Sequence, residues 1–156
     1  KKLERELQKV KRDLDKARDD EKKIEDQDYG PDNVLLTLRE ACVAKNVSQY
    51  TYEVCLFNEV RQKDSRSSRS YRLGRFDSLQ YGDGAEKDTL KSIVYKNGDR
   101  CPGKAREAIV DLSCGAENLI TSVDEPETCV YHFSLLTPAV CGPPDTSSFP
   151  HDGEEL

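Results

Sequence analysis

Six cysteines, Cys42, Cys55, Cys101, Cys114, Cys129 and Cys141, constrain this 156-residue chain more than any other feature. The set is even, and no two stand in a Cys-x-x-Cys pair that would hold zinc or run thiol exchange. Three disulfides in an oxidising compartment are therefore expected. Composition explains why they are needed: a hydrophobic share of 35% against a charged share of 35% supplies only a thin core. Each bridge adds roughly 2–4 kcal/mol, mainly by restricting the unfolded chain. Spacing alone leaves fifteen pairings open.

Secretory passage agrees with Asn46-Val47-Ser48, which fits the acceptor pattern for N-glycosylation at Asn46. No apolar run approaches the ~18 residues that cross a bilayer, so no membrane partner is expected. With Lys1 first, no methionine and no signal peptide, the chain reads as a piece of a longer secretory protein. A net charge of -6 without a clustered basic face argues against nucleic acid as a partner.

Three segments follow from composition. Residues 1–28 hold ten Lys or Arg and ten Asp or Glu, with no glycine, proline or cysteine. Leu3, Leu7, Val10, Leu14, Ala17 and Ile24 recur at a 4-3-4-3 spacing, broken only at Glu21, which predicts a long heptad-like helix. Its narrow stripe suits a coiled-coil partner or the chain's own domain; a solvated helix with i,i+4 charge pairs is the plainer alternative. Tyr29-Gly30-Pro31-Asp32 should end it near Asp28. Residues 29–141 form the second segment, where the rhythm changes to two. Strands are expected at Tyr50–Leu56, Ser92–Lys96, Ala108–Leu112, Asn118–Val123 and Cys129–Leu136, giving a mainly β antiparallel sandwich or flattened barrel. Lys63–Ser70 is polar and small, and reads as a mobile loop in that sheet, with phosphoregulation the less favoured reading. Residues 142–156 are expected to be a disordered acidic tail, ending in a near match to the His-Asp-Glu-Leu retrieval signal with Gly153 inserted.

The chemistry on offer is that of sugar binding. Vicinal hydroxyls donate and accept, so their site needs pure acceptors, pure donors and groups that do both. Glu125, Arg106, Gln62 and Tyr131 supply that set, and charge-assisted bonds from the first two are the stronger kind. Pro126 biases Glu125 towards an extended backbone at a strand entrance, and Tyr131 should share a strand face with Cys129. Each residue also has an ordinary structural role open to it. With only His132 and His151 in the chain, a histidine metal site or a Ser/His/Asp triad has little to draw on. No catalytic residue and no metal is expected.

From about Tyr29 to Cys141 the chain resembles the mannose 6-phosphate receptor homology (MRH) domain, a P-type lectin fold, in the form found in glucosidase II beta subunits. The resemblance rests on Tyr50-Thr51-Tyr52-Glu53-Val54-Cys55 with Gln62, on Arg106 before Cys114-Gly115, on Glu125-Pro126 with Cys129-x-Tyr131, and on Leu136-Thr137-Pro138-Ala139-Val140-Cys141. It implies a flattened barrel of two antiparallel sheets with bridges Cys42–Cys55, Cys101–Cys129 and Cys114–Cys141. It also implies mannose contacts from Gln62, Arg106, Glu125 and Tyr131, and no cofactor. Where the family usually has aromatic residues, near Gly74-Arg75-Phe76 and directly after the third cysteine, this chain without tryptophan has Phe76 and Pro102, and the Cys101-to-Arg106 loop is short for the family. The function so implied is a non-catalytic lectin module in the endoplasmic reticulum lumen. It would bind high-mannose N-glycans for a partner, the catalytic alpha subunit of glucosidase II. A disulfide-stapled protein-interaction scaffold without sugar binding is the alternative.

Overall fold

A computed structural model describes residues 1–143. Helix α1 runs Lys2–Asp26 and buries none of its side chains. Leu3, at 79% exposure, and Val10, at 62%, show that the stripe does not lie on the chain's own domain. The helix stops where Gln27 turns extended and the Asp28 carboxylate accepts the Gly30 N–H at 2.9 Å. Gly30 sits at φ 86°, a left-handed conformation that favours glycine. Two short 3-10 turns follow, Pro31–Asn33 and Leu36–Leu38. They send Tyr29 and Leu35 into the core, with the Tyr29 ring 4.9 Å from that of Phe57.

The rest is β: β1 Cys42–Val47, β2 Tyr50–Cys55, β3 Glu59–Asp64, β4 Ser70–Tyr81, β5 Leu90–Lys96, β6 Arg100–Cys101, β7 Lys104–Ala105, β8 Glu107–Cys114, β9 Leu119–Glu127 and β10 Val130–Thr137. Eight strands form one sheet in the order β1-β2-β3-β4-β5-β8-β10-β9, and β6–β7 is a separate small hairpin. Alternation makes the core: Tyr131, Phe133 and Leu135 of β10 and Ala108, Val110 and Leu112 of β8 turn inward onto Val54, Val60, Leu73 and Ile93. Burying each large apolar side chain contributes roughly 1.5–3 kcal/mol. Register shifts in β4 and at both ends of the β9–β10 ladder bend the sheet. The edge strands β1 and β9 are thereby brought within 8 Å, Cα to Cα, without a ladder between them. The result is a nearly closed flattened barrel.

Three details differ from the sequence expectation. Strands β8 and β10 pair parallel, because β10 inserts between β8 and β9; every other pair is antiparallel. Lys63–Ser70 is not loop throughout: Lys63 and Asp64 end β3, Ser70 begins β4, and an exposed, hydrogen-bonded connection of residues 65–69 joins them. Asp64 N–H donates to Arg69 O at 2.9 Å, its carboxylate accepts Arg66 N–H at 2.9 Å, and Ser65 N–H reaches Gln49 O at 2.8 Å. Cys129 stands in a turn at φ 67°, so strand alternation cannot place Tyr131 on its face. The residues from 144 onward, including the retrieval-like end, lie outside the described residues.

Disulfides close Cys42–Cys55 across β1 and β2, Cys114–Cys141 from the end of β8 to the last turn, and Cys101–Cys129 from the β6–β7 hairpin to the β9–β10 turn. The last two brace opposite ends of the barrel.

Candidate sugar-binding site

Gln62 is set by the sheet. It pairs with Tyr52 on β2 and Tyr71 on β4, so the three side chains share one face in a cross-strand row. The Gln62 amide donates to the Tyr52 hydroxyl at 3.0 Å, which fixes its orientation. Tyr52 is buried, and its ring lies 5.8 Å from that of Phe133 on β10. Two residues before Phe133, on the same inward face, stands Tyr131. The two phenols therefore approach each other across the barrel mouth, with Tyr50 6.2 Å from Tyr52, ring to ring.

Arg106 comes from the junction between β7 and β8. Its backbone is held by Arg106 N–H to Asp99 O at 3.0 Å and Gly98 N–H to Arg106 O at 2.9 Å. Its guanidinium Nη1 donates to Arg100 O at 2.7 Å, and the head lies 4.5 Å from the centre of the Tyr71 ring. The remaining edge carries Nε, which is buried and has no hydrogen-bond partner among the described residues. A buried unpaired donor costs about 1–3 kcal/mol, and the acceptor beside this guanidinium is the Tyr131 hydroxyl, whose pKa an Arg106 hydrogen bond lowers.

Glu125 sits at the end of β9 rather than at a strand entrance. One carboxylate oxygen accepts Cys129 N–H at 2.8 Å, spanning the β9–β10 turn. The short loop expected after Cys101 is the Pro102-Gly103 turn of β6–β7, where Gly103 takes φ 86°.

The electrostatics tie the four residues together. Burial pushes the Tyr131 hydroxyl above its ordinary pKa and the Glu125 carboxylate adds to the rise, while the Arg106 guanidinium pulls it back. Burial likewise raises Tyr52, against the Gln62 hydrogen bond, with Tyr131, Glu125 and Tyr50 raising it further. Both phenols stay neutral at physiological pH and can donate and accept at once. Gln62, Arg106, Glu125 and Tyr131 are thus gathered at one end of the barrel.

Sequence reasoning missed Tyr52 and Tyr71, which hold Gln62 and Arg106 in place. Their signal was the β2–β3–β4 register, which strand periodicity does not supply. Among the described residues no cluster of three or more His, Cys, Asp or Glu is placed to hold a metal. The 500 Å³ concavity lined by Asp28, Pro31, Tyr81 and Lys87 shares none of these residues. Asn46 lies on the exposed face of β1, its side-chain oxygen accepting the Thr51 hydroxyl at 2.8 Å.

A nearly closed barrel with one inserted parallel strand, stapled by three disulfides, is the architecture of an MRH domain, the P-type lectin fold. The crystal structure of the MRH domain of glucosidase II beta bound to mannose matches it with a TM-score of 0.54 and 33% identity, covering 68% of this chain and 98% of that one. The family described as glucosidase II beta subunit-like protein matches residues 3–152, and the chain belongs to that family. Glucosidase 2 subunit beta of Mycosarcoma maydis is 35% identical over 120 residues, 74% of this chain and 21% of the relative. The Homo sapiens subunit is 33% identical over 131 residues, 83% of this chain and 24% of the relative. The chain thus spans about a quarter or less of these relatives' length.

Proposed function

We propose that residues 29–141 form a non-catalytic lectin module that binds mannose of high-mannose N-glycans through Gln62, Arg106, Glu125 and Tyr131. The observation that carries this reading is the convergence of the Arg106 guanidinium, the Tyr131 hydroxyl and the Glu125 carboxylate at one end of the barrel. A sugar hydroxyl would accept a hydrogen bond from the guanidinium and donate one of its own to the carboxylate. Gln62 and Tyr131 would each give and take one bond. The likeness to a mannose-bound MRH domain supports the ligand class. The module works by recruitment: held beside the catalytic alpha subunit of glucosidase II in the endoplasmic reticulum lumen, it raises the local concentration of glycan whose glucose is to be trimmed, so modest affinity suffices.

A glycan array probed in the presence of chelator tests this directly. High-mannose glycans are expected to bind, and Arg106→Ala or Glu125→Gln to abolish the signal while circular dichroism stays unchanged. Undiminished signal in either variant would sink the site assignment. No signal from the folded wild-type chain leaves the scaffold reading in its place.

A further inference from the structure

Helix α1 exposes Leu3, Leu7, Val10 and Leu14 by 79, 55, 62 and 48%, so nothing among the described residues covers its stripe. Leu7, Leu14 and Glu21 recur every seven residues, as do Leu3, Val10, Ala17 and Ile24, which sets the former as a and the latter as d of a heptad. The flanking positions are not random. The g residues Glu6, Asp13 and Asp20 are all acidic, and the e residues Lys11 and Arg18 are basic, with Glu4 and Glu25 at the two ends.

We propose that α1 pairs with α1 of a second copy of this chain as a parallel, in-register coiled coil. In that arrangement each g residue faces the e residue five positions on in its partner. Glu6 then meets Lys11 of the second copy and Asp13 meets Arg18, and symmetry doubles both to four cross-chain attractions. An antiparallel pair would instead face g with g and e with e, setting acid against acid and base against base. The charges therefore choose both the occupant and its direction.

The seam is graded along the helix. Leu3 through Leu14 fill it, whereas Glu21 enters an a position and Asp20 would face Glu25. The pair is tight at its start and loosens next to the barrels, where two bulky domains need room to diverge. At about 1.5 Å per residue, the 25-residue helix spans about 37 Å. Both barrels hang from the same end of the pair, which puts two copies of the proposed site in one assembly. A branched or densely displayed glycan would then be held with avidity.

Sedimentation of the whole chain over a wide concentration range tests the pairing independently of any sugar. The expected mass rises from the 17.6 kDa monomer to twice that value and no higher. Lys11→Glu with Arg18→Glu should weaken self-association about tenfold or more, as four attractions become four repulsions. Glu6→Lys with Asp13→Lys should do the same, and an equimolar mixture of the two variants should recover the dimer. A wild-type chain monomeric throughout, a larger assembly, an acidic variant that dimerises as tightly as wild type, or a mixture that fails to associate would each overturn the proposal.

Discussion

Two halves of the candidate site are held by different means. Gln62 and Tyr131 stand on ladders in the middle of the sheet, where register fixes them: Gln62 between Tyr52 and Tyr71, Tyr131 beside Ala108 of β8. Arg106 stands at the junction of β7 and β8, and Glu125 in the irregular stretch of the β9–β10 ladder between the His132–Asp124 and Val130–Glu127 pairs. Their side chains are tied instead to backbone groups, Arg106 to the Asp99 and Arg100 carbonyls and Glu125 to Cys129 N–H. Those backbone anchors flank one bridge, Cys101–Cys129. Strands position side chains as a by-product of folding, whereas the charged half depends on one covalent tie between two loops. That tie explains why a thin core with three disulfides can still hold a precise site.

The largest expected effect comes from Arg106→Lys. Charge is conserved, but the planar fork that spans the Tyr71 ring, the Arg100 carbonyl and the free Nε edge is lost. Calorimetry is expected to show mannose affinity down by about 100-fold, the equivalent of roughly 3 kcal/mol for a broken buried charged contact. Affinity within a few-fold of wild type would mean that the guanidinium geometry is not used.

Next come the bridges compared with each other. Replacing Cys101 and Cys129 together by Ala should lower stability by roughly 2–4 kcal/mol and cut mannose affinity at least about tenfold. Removing Cys114 and Cys141, at the far end of β8 and β10, should cost similar stability and leave affinity near wild type. Paired denaturant curves and mannose titrations would separate the two; equal affinity losses would erase the distinction between ladder-held and loop-held residues.

Tyr52→Phe tests the ladder half. It deletes the hydroxyl that accepts from Gln62 but leaves the ring on Phe133. A loss of roughly 1 kcal/mol, or about fivefold in affinity, is expected, since the β3 register still places Gln62. The smallest effect concerns pH. Burial, with the hydrogen bond to Asp28, raises Tyr81 from 10.0 to about 12. A folded pKa above the unfolded one means that its contribution is complete below pH 10 and is lost as pH rises towards 12. Stability should decline over that alkaline window, and less steeply in Tyr81→Phe.

How much of this was legible depended on whether a feature is local. Five strands were readable from local apolar runs, alternating in Val130–Thr137 and continuous at Ile93-Val94-Tyr95. Strand β4 was not. Arg72, Arg75, Asp77 and Gln80 dilute its rhythm, and its register slips between Phe76 and Ser78 and again between Gln80 and Tyr81. Its Gly74 reads as a breaker, yet it is required where a Cβ would come within 2.7 Å of Tyr95. The polar hairpin after β3 looked like a loop because its order comes from Asp64 and backbone bonds rather than from burial. At the candidate site, the four residues proposed to bind sugar were visible as a chemical set. What holds two of them was not, because the anchors of Arg106 and Glu125 are backbone groups that any residue carries.

The most direct test of the central claim is an NMR titration of the isotope-labelled chain with methyl α-mannoside, following side-chain as well as backbone signals. The Arg106 Nε–H, the Gln62 side-chain amide and the amides from Glu125 to Tyr131 are expected to shift together along one saturable curve, with the Nε–H moving most. A titration that saturates while the Nε–H stays still, or whose shifts gather around Asp28 and Tyr81 instead, would contradict it.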